Sequence, residues 1–111
     1  MILVTPKILK TIAGRNVYAM ALFPFILVCH EDIKKDLSII NHEKIHWRQQ
    51  IELFILFFYL LYGTFYLYYR IKGQNHFNAY MSIPFEKEAF SNETRLSYIR
   101  DRRWFSWVNY F

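Results

Sequence analysis

The chain has 111 residues, of which 54% are hydrophobic and 21% aromatic, and its formal net charge is +5. This length predicts one domain, residues 1–111, with a modest core and no room for a separate regulatory module. The single cysteine, Cys29, excludes an intramolecular disulfide. The aromatic content exceeds what a small core needs, so we expect part of it to face lipid or a partner.

The N-terminal third predicts β-structure. Residues 17–29 are rich in β-branched and aromatic side chains, with polar ends at Asn16 and His30, which indicates a short β-hairpin or an edge strand. Pro24 restricts such a strand to a sheet edge or a bulge, because proline cannot donate to the ladder. The basic residues before this run, Arg15 among them, are also typical of a targeting segment, but no small-residue cleavage site follows.

The next stretch contains an HExxH motif formed by His42, Glu43 and His46. It predicts a helix, because no glycine or proline interrupts it and apolar residues recur through it. The helix can begin at a capping oxygen from Asp36 or Ser38.

An HExxH motif on a helix has a chemical reason for each fixed position. Residues four apart lie on one face, so two imidazoles can bind the same metal ion. Zinc accepts such nitrogens at ~2.0–2.1 Å and leaves a position for water, whose proton the glutamate can take. Shuffled chains contain the pattern in roughly one case in a hundred, so the site needs a third ligand. Nearby polar residues that can orient the imidazoles are Asn41, Gln49 and Gln50.

The third ligand must come from elsewhere in the chain. In the metzincin pattern HExxHxxGxxH, positions 49 and 52 would be Gly and His, but they are Gln49 and Glu52. Glu52 also lies about 100° around the helix from the histidine pair and ~9 Å further along it. Cys29 and the histidine after it follow no zinc-binding spacing. The remaining candidates are Glu86 and Glu88, which follow a proline that starts a second predicted helix.

This second segment resembles a known family of enzymes. Gluzincin metallopeptidases take their third zinc ligand from a glutamate on a later helix, in several families within a pattern E-x-x-A-D. Glu86 and Ala89 match its first and fourth positions, whereas Phe90 stands where the pattern has Asp. The match covers residues 42–46 and 86–89. The short chain thus resembles minimal gluzincins, one-domain versions of the catalytic cores of integral-membrane metallopeptidases.

The resemblance implies a set of roles. Zn²⁺ would be held by His42, His46 and Glu86, and Glu43 would take a proton from water and deliver it to the leaving amine. Part of 19–28 would hold an extended substrate at the site's rim, although a plain core strand is equally compatible. Further expected contributions are Glu88 as the alternative third ligand and His76, Tyr80 or an arginine as oxyanion donor or substrate contact.

Residues 53–69 contain no charged side chain, and their length of 17 is at the lower edge for a membrane span. A simple span would leave Glu86 on the far side from the histidines. We therefore predict one long helix continuing to Lys72, or a break at Gly63, with residues 73–85 returning as an extended strand or loop. A hairpin on or partly in a membrane surface fits this prediction best, and an oligomer that covers the aromatic face is the alternative.

The C-terminal segment, residues 94–111, interleaves cations with aromatic side chains. This composition suits an anionic membrane surface, where Trp and Tyr lie at headgroup level. Single-stranded nucleic acid is the less favoured alternative. The residues concerned are Arg95, Tyr98, Arg100, Arg102, Arg103, Trp104, Phe105, Trp107 and Tyr110.

Together these patterns predict an α+β fold, mainly α, with a long HExxH helix, a C-terminal glutamate-bearing helix and a short N-terminal β-hairpin or edge strand. The predicted function is zinc-dependent hydrolysis of peptide or protein substrates at a membrane. The alternative is a membrane-associated binding or structural protein whose HExxH motif is inert or only holds metal. A cytoplasmic location is the alternative to membrane association.

Overall fold

The computed structural model describes residues 1–14 and 17–111; Arg15 and Asn16, named in the predictions above, lie outside these ranges. Helices dominate the described residues and a small sheet lies near the N-terminus, which confirms the predicted α+β, mainly α class. The strands are β1 (Ile2–Val4), β2 (Ala19–Leu22) and β3 (Phe25–Val28). The α-helices are α1 (Pro6–Ala13), α2 (Leu37–Glu52), α3 (Leu56–Ile71), α4 (His76–Ser82), α5 (Pro84–Asn92) and α6 (Tyr98–Asp101), with 3-10 helices at Glu31–Lys35 and Ser106–Tyr110.

The sheet has the order β1-β3-β2 and covers one side of α2. Strands β2 and β3 form the predicted antiparallel hairpin, with Met20 opposite Leu27, and β2 is an edge strand. Pro24 lies in the hairpin turn, where its missing N–H breaks no ladder bond. β1 pairs in parallel with β3 and was not predicted, because three residues offer too little alternation to indicate a strand.

α2 is the central helix of the described fold and begins at Asp36. The Asp36 carboxylate accepts a hydrogen bond from the backbone N–H of Ile39 at 3.1 Å, so Asp36 rather than Ser38 is the N-cap. Ile40 packs on Ile26 and Val28 of the sheet. The opposite side of α2 contacts α5, and this placement buries the motif's polar side chains between the two.

The predicted long helix to Lys72 is wrong, because α2 ends at Glu52 and α3 restarts at Leu56 after a bend of 111°. Phe54 and Ile55 adopt positive φ angles of 56° and 61° at the bend. The alternative break at Gly63 is also wrong, since that glycine lies inside α3. Glycine costs a helix interior only ~1 kcal/mol, which the packing of α3 outweighs.

Among the described residues, no single helix has the length and apolar character to cross a bilayer, and only α2 and α3 together pass that test, as a bent pair.

The predicted extended return over residues 73–85 is wrong, because most of it forms α4. Asn75 caps this helix by accepting a hydrogen bond from the N–H of Asn78 at 2.8 Å. Because α2 ends at Glu52 and the chain bends there, residues 73–85 do not need to be extended to bring Glu86 close to the histidines. Ile83 is extended, and α5 follows at once.

Three of the nine cations and aromatic side chains named in the C-terminal segment lie in the core, and five others are exposed. Trp107 packs with Phe58, Ile83 and Phe85 in an aromatic cluster between α3 and α5. Tyr98 and Arg102 are also buried. These side chains are therefore unavailable to the membrane or nucleic-acid surface that the sequence pattern suggested for them.

Candidate metal centre

Two histidines and one glutamate meet at the interface of α2 and α5. The Nε2 atoms of His42 and His46 each lie 3.0 Å from Oε1 of Glu86. All three side chains are buried, and their ligand atoms lie within 4.8 Å of one another. The group can therefore hold a metal ion, with two ligands from one helix and the third from another.

The donor atoms fit a divalent cation in both spacing and chemistry. Ligand atoms at tetrahedral positions around zinc are about 3.3 Å apart, given bond lengths of ~2.0–2.1 Å. The observed 3.0 Å separations are close to this value. Two imidazole nitrogens and one carboxylate oxygen also form the donor set of open, catalytic metal sites.

The outer nitrogens of both imidazoles are hydrogen-bonded, which fixes the direction of the inner ones. Nδ1 of His42 donates to Oε2 of Glu93 at 3.0 Å, and Nδ1 of His46 donates to Oε1 of Gln49 at 2.7 Å. A neutral imidazole that donates through Nδ1 has its lone pair on Nε2. The lone pairs of the two Nε2 atoms therefore point at the lone pair of Glu86 Oε1. A cation, either a proton or a metal ion, must lie among these three atoms.

Glu93 is a functional residue that sequence analysis missed. It lies 51 positions from His42, outside any spacing that predicts a contact. Asn41 holds it in place by donating from Nδ2 to the backbone carbonyls of Glu93 at 2.8 Å and Arg95 at 3.1 Å. Of the predicted orienting residues, Gln49 acts directly on His46, and Asn41 acts through Glu93.

Phe90 stands where the E-x-x-A-D pattern has aspartate, and in this site Phe90 and Glu93 both contact His42. The Phe90 ring packs on His42 with 4.4 Å between ring centroids. Glu93, one helical turn further on, provides a carboxylate to the same imidazole. Phe90 therefore provides the packing contact to His42, and Glu93 provides the hydrogen bond.

Gln50, the third predicted orienting residue, instead joins α2 to the hairpin. Its Oε1 accepts from the N–H of Phe23 at 2.8 Å, and its Nε2 donates to the carbonyl of Ala21 at 3.0 Å. Tyr59 of α3 donates to the same Ala21 carbonyl at 2.8 Å. These bonds fix the edge strand β2 beside the motif.

The second oxygen of Glu86 accepts a hydrogen bond from the hydroxyl of Tyr62 on α3, at 2.7 Å. Burial and the charge of Glu86 raise the pKa of Tyr62 well above its usual value, so its hydroxyl remains a donor. Three helices, α2, α3 and α5, therefore meet at the Glu86 carboxylate.

The charges of Glu86 and His46 are linked. Burial opposes both charges, but the attraction between them and their hydrogen bond outweigh it. The pKa of His46 is raised to about 9, and that of Glu86 is held well below its ordinary value. Without metal, the site therefore retains a proton on His46 at neutral pH.

Glu43 lies beside the triad and is buried. Burial raises its pKa, while the neighbouring histidines His46 and His42 partly oppose this. A carboxyl with a raised pKa is better matched to proton transfer near neutral pH than an exposed one.

Glu88 and Glu52 point to a different cluster. Both carboxylates pair with Arg102, at 2.5 Å for Glu88 and 2.6 Å for Glu52, and all three side chains are fully buried. Glu88 also accepts from the Tyr98 hydroxyl at 2.6 Å and from Gln49 Nε2 at 2.9 Å. Its oxygens are thus occupied, and it is not among the ligand atoms that converge with the histidines.

Of the two expected substrate contacts, Tyr80 lies at the site and His76 lies away from it. Tyr80 lines a cleft together with His42 and Glu43. Burial and the charge of Glu86 raise its pKa, so its hydroxyl is a donor at neutral pH. His76 instead bonds through Nδ1 to the hydroxyl of Tyr66 at 2.8 Å on the exposed side of α3 and α4.

This cleft has a volume of about 190 Å³, and the chain entering β2 (Val17, Tyr18 and Ala19) forms one of its walls. A larger cavity of about 560 Å³ lies between α1 and the hairpin, but it contains no residue of the triad. Of the triad, His42 lines the smaller cleft, together with Glu43 of the same motif.

No protein-family model, curated protein or solved structure matches this chain significantly. The gluzincin resemblance thus rests on the residues of the two motifs.

Proposed function

We propose that this protein is a zinc-dependent metallopeptidase of gluzincin type that hydrolyses peptide bonds. One observation supports this above all: both histidines of the motif converge with Glu86 in a buried group, while Glu43 of the same motif lines the adjoining cleft. An accidental HExxH motif has no reason to meet a third ligand from a helix 40 residues away.

His42, His46 and Glu86 would hold the ion, and Glu93 and Gln49 would keep the imidazoles aligned. Bound zinc would supply Lewis acidity, polarising the scissile carbonyl and making water more acidic. Glu43, whose pKa burial raises, would accept a proton from water and pass it to the leaving amine. Tyr80 lines the same cleft, and its hydroxyl would donate to the carbonyl oxygen as it gains negative charge.

The substrate would bind in an extended conformation along β2. This strand is at the edge of the sheet, and the residues leading into it form a wall of the cleft. Of its groups at that edge, the Ala21 carbonyl already accepts hydrogen bonds from Gln50 and Tyr59. Backbone hydrogen bonds from an edge strand recognise a peptide largely independently of its side chains.

A second candidate is a metal-holding binding or structural protein without hydrolytic activity. The size of the cleft favours it, since about 190 Å³ is below the ~300–1,000 Å³ typical of ligand pockets. In that case Glu43 would only complete the polar surroundings of the metal.

Replacing Glu43 separates the two candidates. For a peptidase, Glu43→Gln should retain one zinc per chain by elemental analysis, while cleavage of a fluorogenic peptide library falls by about 10²–10⁴-fold. Glu31→Gln, at an exposed carboxylate, is the matched control and should leave both unchanged. Zinc-loaded protein that cleaves no peptide in the library, with or without the substitution, would favour the binding protein.

Tyr80 offers a finer test of the mechanism. Tyr80→Phe should lower kcat by about 10²–10³-fold with zinc retained, because it removes one donor to the developing charge. Tyr66→Phe, at the hydroxyl that bonds His76, is the matched control and should leave kcat unchanged. Equal losses in both variants would argue against the role given to Tyr80.

A further inference from the structure

The outward face of α3 is apolar toward both ends of the helix, with Gly63 and Thr64 exposed between the two apolar groups. Six of its side chains recur at helical spacing and have exposed fractions between 51% and 77%. This spacing places them on one side of the helix. The residues are Leu56, Phe57, Leu60, Leu67, Tyr68 and Ile71, and they are called here the α3 outer face.

The inward face of α3 is apolar as well and is already packed. Phe58, Tyr62 and Phe65 lie against Phe85 of α5, with ring centroids 4.7 to 6.4 Å apart. A helix that is apolar all round normally has both faces removed from water. We therefore expect the α3 outer face to be removed from water by contact with another surface.

Two further aromatic rings are exposed in the elements next to α3 in the chain. Phe54, at the bend before α3, is 80% exposed, and Phe77 on α4 is 64% exposed. Positive φ at both Phe54 and Ile55 is costly for residues with side chains, especially β-branched ones, yet it leaves the Phe54 ring outside the core.

The charge around the α3 outer face has one sign. Residues 53–85 contain no Asp or Glu, and their only Lys or Arg side chains are Arg70 and Lys72 at the end of α3. Both are exposed, and the Lys72 ammonium lies 5.5 Å from the centre of the Tyr68 ring. Apolar side chains beside cations and tyrosine rings are the composition of a helix lying in a membrane interface.

We propose that the α3 outer face docks on an anionic lipid bilayer, with α3 parallel to the membrane plane and Arg70 and Lys72 among the headgroups. α3 is about 24 Å long, given 1.5 Å per residue, so its apolar face would enter the interface over that length. A second copy is the weaker occupant. A two-fold interface would pair this face with itself, and the face has no acidic residue to neutralise its two cations.

Docking uses none of the metal-site residues. Glu86→Gln is therefore expected to bind vesicles as the unsubstituted protein does, and this separates a failure of membrane docking from a failure of the proposed peptidase function.

Vesicle flotation of the full chain tests the proposal. The unsubstituted protein should float with vesicles of phosphatidylcholine containing 30% phosphatidylserine, and far less with pure phosphatidylcholine. The double variant Leu60→Glu/Leu67→Glu should lose at least tenfold in binding, because it places two carboxylates on the α3 outer face. Arg70→Gln/Lys72→Gln should lose about 30-fold, roughly fivefold for each cation near an anionic surface.

The control variant is Ile8→Glu/Ile12→Glu, at two exposed apolar positions of α1. It should bind vesicles normally, and circular dichroism melts should show that all variants fold. Equal binding by the α1 and α3 variants, or equal binding to neutral and anionic vesicles, would overturn the proposal. The proposal would also be overturned if the protein does not float with vesicles and light scattering shows a concentration-dependent dimer that Leu60→Glu/Leu67→Glu dissociates.

Discussion

Glu86 and Glu88 lie two residues apart on the same short helix, and both are buried against α2, yet their surroundings differ in one respect. Glu88 shares Arg102 with Glu52, so each of these two carboxylates is paired with a cation of the protein itself. Glu86 faces two histidines, whose charge depends on a proton that they can release. A buried carboxylate needs a counter-charge. At Glu88 the fold provides a permanent one, whereas at Glu86 it leaves a position that a metal ion can take.

Gln49 connects the two clusters. Its Oε1 accepts from His46, while its Nε2 donates to Glu88 at 2.9 Å and to the Phe85 carbonyl at 3.1 Å. The cluster around Arg102 thus provides a rigid support for one metal ligand. This difference leads to four predictions, in which the Arg102 cluster determines stability and the Glu86 cluster determines metal binding.

The largest effect is expected from Arg102→Met. It leaves the carboxylates of Glu52 and Glu88 buried without a cation, so the free energy of unfolding should fall by about 3–5 kcal/mol with or without zinc. Arg103→Met, at the exposed neighbouring position, should change it by less than about 0.5 kcal/mol. Urea unfolding with and without chelator measures both. If the free energy of unfolding falls only in the presence of chelator, the Arg102 cluster does not determine stability independently of metal binding.

The next effect is expected from Glu86→Gln, which should weaken zinc binding by about 100- to 1,000-fold. This is one ligand's share of the ~10–16 kcal/mol with which proteins bind structural zinc. The zinc-free protein should lose less stability than Arg102→Met, because His46 can release its proton and become neutral, whereas Arg102→Met leaves two buried carboxylates without a cation. Competition with a fluorescent chelator gives the affinity, and Glu31→Gln is the control. Normal zinc affinity in Glu86→Gln would remove Glu86 from the ligand set.

A smaller effect is expected from Glu93→Gln. Its carboxylate orients His42 rather than binding the ion, and loss of such a partner typically costs 10- to 100-fold in metal affinity. The amide oxygen of Gln can still accept from Nδ1, so the loss should be nearer the lower figure. Glu93→Ala should approach the upper one. Equal affinities for both variants and the unsubstituted protein would show that the bond to His42 is not needed.

The fourth prediction is a pH dependence that only the Glu86 cluster should show near neutrality. The pKa of His46 is raised to about 9, so zinc must displace a proton below that pH, and its affinity should rise up to about tenfold per unit between pH 6 and 8. In zinc-free protein, the His46 contribution to stability is fully present below its unfolded pKa of about 6.5 and is lost as pH rises through about 9. The Glu86 contribution, with its lowered pKa, is present above about 4.5 and is lost as pH falls further.

Zinc-free protein should therefore be most stable between about pH 4.5 and 6.5, and its stability should fall as pH rises from there through about 9. Arg102 adds nothing to this profile, because its two carboxylate partners raise its pKa above an already high value. Thermal melts across pH test the assignment, since Glu86→Gln should flatten the profile above pH 7. A profile unchanged by that substitution would assign the proton to another group.

The features that the sequence by itself determined depend on local spacing. His42 and His46 face one direction because any α-helix places residues four apart on one side. Asp36 caps α2 because its short side chain reaches a free N–H group in the first turn. Glu86 was singled out because Ala89 matches the fourth position of a pattern that Glu86 begins, and the strands within 19–28 because this stretch is rich in β-branched and aromatic residues.

Tertiary structure alone decided which buried groups meet across long stretches of chain. The bend at residues 53–55 has no glycine or proline to mark it, and it follows from how Gln50 and Glu52 are held by distant partners. Glu93 reaches His42 across 51 positions, and Arg102 reaches Glu52 across 50. Sequence spacing cannot rank Glu86 against Glu88 from first principles, because both are buried glutamates on one helix. Their roles differ only because the fold brings histidines to one and an arginine to the other.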